Sequence, residues 1–303
     1  MSKKNIFIVT LILLALFWVI FKGSAAQKRL AGAGREKVYP HRIISLCSAA
    51  TEILYYLKAD SLIVAVDDGS KLYTPFSVDK PAVGNAYASL NIELITLYQP
   101  DLVLCSPSKA EILKARGFQT LAVKTCNVDE TLELIDQIGE TIGRKENARK
   151  ITDWMRTEIV GIQEKVKQVS QKPLVYFEAH REGLSRGRGT LTDDLITLAG
   201  GINLAHSERA RFPVLSREVI MERDPDVIIV ESYDLDGKQI MDRPGWRQIK
   251  AIRNDRIYTS TVNFTNYTPR LVEGLRTFAS WLHPELFRTP KSSGREKEVS
   301  FAH

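Results

Sequence analysis

Short apolar runs alternate with longer amphipathic stretches along most of the chain, and they fall into two sets separated by one long helical pattern. Each run is rich in Val, Ile and Leu and is bounded by residues that favour turns or helix caps, which predicts a β-strand. The runs lack strict alternation of apolar and polar residues, so they suit parallel strands buried on both faces. The predicted strands are Arg42–Leu46, Leu62–Val66, Asp101–Cys105, Thr120–Lys124, Leu174–Glu178, Asp226–Glu231 and Arg256–Ser260.

The helical pattern between the two sets extends from about Thr131 to Gln171, with apolar residues at steps of three and four. This spacing gives an apolar stripe on a charged helix. Glycines and a charged patch divide the pattern, and the later piece, from about residue 145 to 170, would be ~39 Å long at ~1.5 Å per residue. We expect Trp154 to be buried on this stripe. A helix of this length can bridge two α/β lobes.

The patterns together predict an α/β fold in which two Rossmann-like lobes with parallel sheets are joined by one long α-helix. We assign residues 41–140 to the N-terminal lobe, 141–171 to the linking helix and 172–288 to the C-terminal lobe. Residues 289–303 are expected to form a disordered tail.

The N-terminus has the plan of an export signal. Lysines precede an apolar run from Ile6 to Phe21, and small residues at 24–26 suit a cleavage site. We predict a signal peptide at 1–26 and a flexible leader at 27–40. The run is slightly shorter than the ~20 residues that span a bilayer, so an uncleaved anchor in the inner membrane remains the alternative. Because no Cys lies near the cleavage site, a soluble periplasmic protein is favoured over a lipid-anchored one.

The net charge does not indicate a nucleic-acid partner. The formal charge of +6 includes three lysines within residues 1–26 and no acid there, so cleavage would leave 39 basic and 36 acidic residues. The basic side chains are spread along predicted helices rather than gathered in a stripe interleaved with aromatics.

Five segments carry a family resemblance. In Arg42–Leu54 a strand leads into a helix capped by Ser or Thr and beginning with Glu52. Four others follow in order: Asn91–Leu104, Leu198–Ala205, Leu215–Ile229 and Pro244–Tyr258. In this order they resemble the periplasmic solute-binding proteins of ABC importers for iron chelates, haem and corrinoids, over about residues 42–287. Cys47 and Ser48 depart from the family, which often has a residue and then Pro there.

The resemblance implies a transport protein that performs no chemistry on its ligand, so we expect neither an enzyme nor a resident cofactor. Glu93 and Glu218 each lie in the first turn of a helix that ends in Pro-Asp before an apolar strand. They match the family's two glutamates that project from the lobe tips and dock onto arginines of the dimeric permease. The expected partners are this permease with its ATPase subunits and a metal chelate, and the protein is expected to be a monomer whose lobes move little.

The ligand of an open α/β lobe lies beyond the carboxyl ends of the strands. Tyr87 and Phe212, each six residues before a docking glutamate, match places where the family commonly sets an aromatic residue against a flat or bulky chelate. Arginines crowd the loops of the second lobe and present rigid forks to anionic oxygens. A ferric siderophore is therefore preferred slightly over a corrinoid. The predicted ligand-binding residues are Tyr87, Arg186, Arg188, Arg211, Phe212 and Tyr267.

Three cysteines, Cys47, Cys105 and Cys126, each fall at the carboxyl end of a first-lobe strand. If the sheet has the order 2-1-3-4, these ends are neighbours, and a disulfide or a soft-metal site is open to them in an oxidising compartment. The simpler interpretation is that small residues stand where the backbone crowds the cleft. The histidines are too scattered for a bare-metal site of the zinc or manganese type.

Two other classes of protein compete with this interpretation. An enzyme on a Rossmann-like scaffold has little support, because Gly187-Arg188-Gly189-Thr190 is not a P-loop and no nucleophile elbow or zinc-protease motif occurs. A membrane-tethered chelate sensor or accessory lobe would need an uncleaved N-terminal helix.

Overall fold

The structure is a computed structural model that describes residues 38–74, 77, 79–84, 90–124, 127–232 and 237–287. The predictions of a signal peptide, most of the leader and the C-terminal tail lie outside these residues, as do those for Tyr87 and Cys126. No helix of the described segments is long and apolar enough to cross a membrane.

The first lobe is built on a parallel four-stranded sheet with the strand order β2-β1-β3-β4. Apolar side chains fill these strands, and all of β1 and β3 is buried, as expected for a sheet covered on both faces. The strands are β1 (Ile43–Ser45), β2 (Ile63–Val66), β3 (Leu102–Cys105) and β4 (Thr120–Ala122). The helices are α1 (Ser48–Tyr56), α2 (Asp68–Tyr73), α3 (Ile92–Leu97), α4 (Pro107–Ala115) and α5 (Val128–Thr141).

The second lobe repeats this design, with a parallel sheet in the order β6-β5-β7-β8. Its strands are β5 (Leu174–Glu178), β6 (Ile202–Asn203), β7 (Val227–Ser232) and β8 (Ile257–Thr261). Its helices are α7 (Leu191–Leu198), α8 (Arg217–Arg223), α9 (Gly237–Met241), α10 (Lys250–Arg253), α11 (Leu271–Leu282) and α12 (Pro284–Phe287). The matching strand order makes each strand of one lobe equivalent to a strand of the other.

The predicted α/β fold is confirmed, and the first sheet has the 2-1-3-4 order on which the expected proximity of the cysteines was conditional. Each of the seven predicted strands overlaps an observed strand, but β6 was missed. It has only two residues and directly follows Gly200 and Gly201, a segment that the sequence alone indicates as a helix end. Backbone pairing of Ile202 and Asn203 with β5 makes it a strand, and an apolar run this short carries no detectable period.

The linking helix, α6, extends from Lys145 to Val166. It is therefore ~33 Å long at ~1.5 Å per residue, about one turn shorter than predicted. The expectation that Trp154 is buried was wrong, since 36% of this residue is exposed. The buried stripe is centred on Met155, Ile159 and Ile162. Trp154 directly precedes Met155 in sequence and therefore lies to one side of this stripe.

One apolar cluster runs without interruption through both lobes, and we call it the inter-lobe core. It joins Ile53 of α1, Ile135 of α5, Met155 of α6, Leu195 of α7 and Phe278 of α11. Each lobe also has a separate cluster on the outer face of its sheet. Because interiors are packed nearly as densely as organic crystals, a shared core of this kind opposes large rotation of one lobe against the other.

Two carboxylates cross the lobe boundary at equivalent places. Asp194 of α7 accepts a hydrogen bond from the backbone N–H of Val128, the first residue of α5, at 2.9 Å. Glu52 of α1 faces the start of α11, with its Oε1 3.8 Å from Nε of Arg270. Each carboxylate directly precedes a fully buried apolar pair of the inter-lobe core. Each therefore lies at the positive end of a helix that belongs to the other lobe.

The expected position of Glu52 at the start of its helix was wrong. The helix begins at Ser48, with Cys47 as its N-cap, so Glu52 lies in the second turn and is 1% exposed. The hydroxyl of Thr51 donates to the oxygens of Ser45 and Cys47 instead of capping the helix. No hydrogen bond of ordinary geometry reaches either carboxyl oxygen of Glu52 from the residues that the structure describes, although the hydroxyl of Thr268 lies close enough to lower its pKa.

Burial raises the pKa of Glu52 from its ordinary 4.5 to about 7, although Arg270 opposes the shift. Because the folded state binds this proton more tightly than the unfolded chain does, the stability it contributes is complete below about pH 4.5 and is lost as the pH rises through about 7. Glu52→Gln keeps the shape of the neutral acid. We expect it to raise the free energy of unfolding by about 1–3 kcal/mol near pH 8 and by less than about 0.5 kcal/mol near pH 5.

Urea unfolding at both pH values measures this difference. The control is Glu133→Gln, which changes an exposed glutamate of α5 and should behave alike at both pH values. An effect of Glu52→Gln that is equal near pH 5 and near pH 8 would contradict the assignment.

Candidate ligand cleft and docking surface

The carboxyl edges of both sheets border the boundary between the lobes. The segment after β4 brings Val128 to Asp194 of the second lobe, and the segment after β8 brings Arg270 to Glu52 of the first. The loops that follow the strands therefore converge on one region, which is where α/β lobes hold ligands.

Three of the predicted ligand-binding residues lie together in the second lobe. The ring of Phe212 is 50% exposed. The guanidinium carbons of Arg186 and Arg211 lie 5.3 and 5.6 Å from its centroid, within the range of a cation–π interaction. We call these three residues the Arg–Phe platform. It presents an aromatic face and positive charge to the same region.

The guanidinium of Arg186 is anchored by a buried acid that sequence reasoning missed. Its Nη2 donates to Oε2 of Glu231 at 3.1 Å, and Glu231 is 3% exposed. The other carboxyl oxygen of Glu231 accepts from the hydroxyl of Thr265 at 3.0 Å. The charge of Arg186 is thus balanced by Glu231. Arg211 instead donates to the backbone carbonyl of Gly189 at 2.9 Å, and no acidic side chain of the described segments pairs with its charge.

A short antiparallel contact holds the platform in register. The N–H of Ser185 donates to the carbonyl of Pro213, and that of Gly187 donates to the carbonyl of Arg211, both at 2.8 Å. A Cβ at Gly187 would lie 2.8 Å from the carbonyl oxygen of Ala210, so only glycine permits this approach. Since the two segments are about 25 residues apart, no local pattern could have shown that they pair.

The loop that carries Arg186 is fixed at its other end by a buried ion pair. Arg243 donates to both carboxyl oxygens of Glu178, at 2.7 and 2.8 Å, and Glu178 is the last residue of β5. The hydroxyl of Tyr176 donates to the same carboxylate at 2.7 Å. Burial beside Glu178 raises the pKa of Tyr176, so this hydroxyl stays a donor. A charge-assisted bidentate pair restricts geometry more than neutral bonds do.

The remaining ligand-binding predictions are distributed differently. Arg188 is exposed on the segment that carries Arg186. Tyr267 is half-buried and packs against the inter-lobe core. Tyr87 lies outside the described residues.

Cys47 and Cys105 are free cysteines. Burial raises the pKa of both thiols, that of Cys105 to about 11. Both therefore remain protonated near neutral pH, which makes them poor nucleophiles and poor metal ligands. In the described part of the chain, no three His, Cys, Asp or Glu side chains are grouped so that they could hold a metal ion.

A separate groove of about 520 Å³ lies where α5, α6 and α7 meet. Its lining includes Leu132, Ile159, Leu198 and His206, and none of the three platform residues is part of it. The ring of His206 is held by Asp193, whose carboxyl oxygens both lie 3.0 Å from Nδ1. The groove is therefore distinct from the region that the Arg–Phe platform faces.

Glu93 and Glu218 occupy the same position in equivalent helices. Each is exposed and is the second residue of its helix, after an N-cap side chain, Asn91 or Ser216, that accepts a hydrogen bond from the helix backbone. Hydrogen bonds from its own backbone N–H and from Ser216 hold the pKa of Glu218 below its ordinary value. Because α3 and α8 each precede the third strand of a parallel sheet, both first turns lie toward the carboxyl edge.

The sequence profile described as "Periplasmic binding protein" matches residues 43–262. The chain therefore belongs to this family. The ABC transporter substrate-binding lipoprotein YvrC of Bacillus subtilis is 27% identical to it over 266 residues, which are 83% of each protein. The vitamin B12-binding protein of Vibrio cholerae is 26% identical over 255 residues, 81% of this chain and 91% of that protein.

The fold is shared with solved structures of the same kind. A possible iron-binding, periplasmic solute-binding protein from Staphylococcus epidermidis superimposes with a TM-score of 0.71. It is 26% identical, and the match covers 81% of this chain and 100% of that one. The resemblance inferred from the five sequence segments is thereby confirmed.

Proposed function

We propose that this protein is the solute-binding component of an ABC importer that carries a metal chelate. It is exported, binds the chelate between its two lobes and delivers it to a permease dimer driven by ATPase subunits. The family, the named functions of its relatives and the equivalent docking glutamates support this role. No reaction on the ligand is part of it.

We infer the class of ligand from the Arg–Phe platform. The exposed aromatic face of Phe212 can pack against the catecholate rings of a siderophore as well as against a flat macrocycle, and the guanidinium of Arg211, which has no ion-pair partner in the described segments, suits carboxylate or other anionic oxygens. A largely neutral corrinoid would leave that charge unmatched. We therefore propose an anionic ferric chelate of the siderophore type.

A corrinoid is the second candidate, because the vitamin B12-binding protein of Vibrio cholerae matches 81% of this chain. A third possibility is a membrane-tethered chelate sensor. N-terminal sequencing of the mature protein distinguishes it, since a tethered protein would keep residues 1–26.

The ligand is tested by the double variant Arg188→Ala/Arg211→Ala. We expect it to weaken binding of a ferric tricatecholate by about 1.5–3 kcal/mol for each charged hydrogen bond lost. Binding of cyanocobalamin should barely change. Fluorescence titration measures both affinities. The control is Arg253→Ala, which removes an equally exposed arginine at the end of α10. Binding of cyanocobalamin by wild type and variant, with no ferric chelate bound by either, would reverse the order of ligands.

Docking is tested by charge reversal at both lobes, with Glu93→Arg and Glu218→Arg combined. Because the two exposed glutamates would meet permease arginines, we expect transport of the radiolabelled chelate to be abolished. The affinity of the purified protein for the chelate should stay within about threefold of wild type. Glu222→Arg, an exposed change on α8, serves as the control. A double variant that supports normal transport would remove these residues from the interface.

Motion on binding is expected to be small, since the inter-lobe core joins both lobes and α6 is continuous. Bending α6 would break backbone hydrogen bonds at about 0.5–1.5 kcal/mol each. Small-angle scattering of the free protein and of protein loaded with the chelate that binds should differ in radius of gyration by less than about 1 Å. A loaded form that is several ångströms more compact would contradict a rigid core.

A further inference from the structure

Residues 264–270, which we call the cleft strap, connect β8 to α11 and touch both lobes. The strap begins against α11, where a Cβ on Gly274 would lie 2.5 Å from the carbonyl oxygen of Phe264 and 2.8 Å from its Cβ. Only glycine at position 274 permits this contact. The strap is therefore seated closely on the helix that it leads into.

One end of the strap holds the Arg–Phe platform. The hydroxyl of Thr265 donates to Glu231, which in turn accepts from Arg186. Arg186 lies against the ring of Phe212. Three consecutive contacts thus lead from the strap to the aromatic face. Loss of the Thr265 bond would release one oxygen of a buried carboxylate, which is costly unless Glu231 moves to find another donor.

The other end of the strap faces the opposite lobe. Arg270 approaches Glu52, and the hydroxyl of Thr268, a residue with no exposed surface, lies close enough to Glu52 to lower its pKa. Local hydrogen bonds stiffen the strap between its two ends. The N–H of Tyr267 donates to the side-chain oxygen of Asn266 at 3.1 Å, and that of Thr268 donates to the carbonyl of Asn266 at 2.9 Å. These bonds restrain the turn that connects the two ends of the strap.

The contact of Glu52 with Arg270, at 3.8 Å, is longer than the 2.9 Å hydrogen bond of Asp194 with Val128. Arg270 attracts the carboxylate and Glu273 repels it, both from α11, while Tyr56 lies beside it on α1. On the side of α2, the carboxylate of Asp67 accepts hydrogen bonds from the backbone N–H and the hydroxyl of Ser70. The equivalent Asp194 makes a direct hydrogen bond with Val128, and the bond does not involve the strap.

We propose that Glu52 is a positioning residue for the Arg–Phe platform of the opposite lobe and acts through the cleft strap. The proposal rests on the proposed function, since it assigns the platform to the ligand. It makes the geometry of the platform depend on the contact between the lobes. The first lobe thereby contributes to ligand recognition through a residue that does not touch the ligand.

Hydrogen exchange of the free full-length protein, followed by mass spectrometry, tests the coupling without a ligand. In Glu52→Ala, exchange should accelerate at least about threefold in the strap and also in peptides that cover residues 185–190. The matched control is Asp194→Ala, which removes the equivalent carboxylate. It should accelerate exchange at the start of α5 and leave residues 185–190 unchanged. If Glu52→Ala loosens the strap or α1 but not residues 185–190, Glu52 is merely structural and the proposal fails.

Thr265→Val provides a second test that leaves Glu52 in place. It should accelerate exchange in residues 185–190 as Glu52→Ala does, and the double variant should show no more than the larger single effect, because both changes interrupt one series of contacts. Additive effects, or no effect of Thr265→Val, would overturn the proposal.

Binding of two probes, a ferric tricatecholate and cyanocobalamin, separates this inference from the proposed function. For the probe that binds, Glu52→Ala and Thr265→Val should each weaken affinity about three- to tenfold, while Asp194→Ala stays within about twofold. If wild type binds no chelate, the proposed function fails, and the exchange measurements still decide whether Glu52 positions the platform. If affinity is unchanged in variants whose platform has loosened, the role of Glu52 in recognition is refuted.

Discussion

The apolar core shared by the two lobes is the constraint on which the rest of the structure depends. Helices α1 and α5 of the first lobe, α7 and α11 of the second and the linking helix α6 all contribute side chains to it. Each sheet is thus covered on one face by its own lobe's cluster and on the other by this common layer. Neither lobe can bury its inner face alone, so large rotation of one lobe against the other would expose this core.

This arrangement leaves the boundary between the carboxyl edges of the sheets free for polar contacts between the lobes. Helix starts in one lobe meet carboxylates of the other, at Asp194 with Val128 and at Glu52 with Arg270. The first contact is a direct hydrogen bond, whereas Glu52 is buried and no hydrogen bond of ordinary geometry reaches it from the described residues. A carboxyl group in that position costs stability when it is ionised, and such costs are commonly retained where they serve function.

The two lobes match in some surface features and differ in others. The first turns of α3 and α8 present Glu93 and Glu218 at matching places, which suits a partner with two similar halves. The loops after the strands differ between the lobes, and in the second they carry the arginines and Phe212. Under the proposed function, the repeated elements would meet the permease, and the loops that differ between the lobes would meet the ligand.

The sequence by itself determined what depends on neighbouring residues. Apolar runs located seven of the eight strands, helical periodicity located α6, and capping signals placed Glu93 and Glu218 in first turns, because these features follow from contacts a few residues apart. Only the tertiary structure decided the rest. It paired β6 with β5, buried Glu52 against a residue more than two hundred positions away, and brought Glu231 to Arg186. Such contacts depend on how whole elements pack. Packing between elements that are distant in sequence leaves no periodic pattern along the chain.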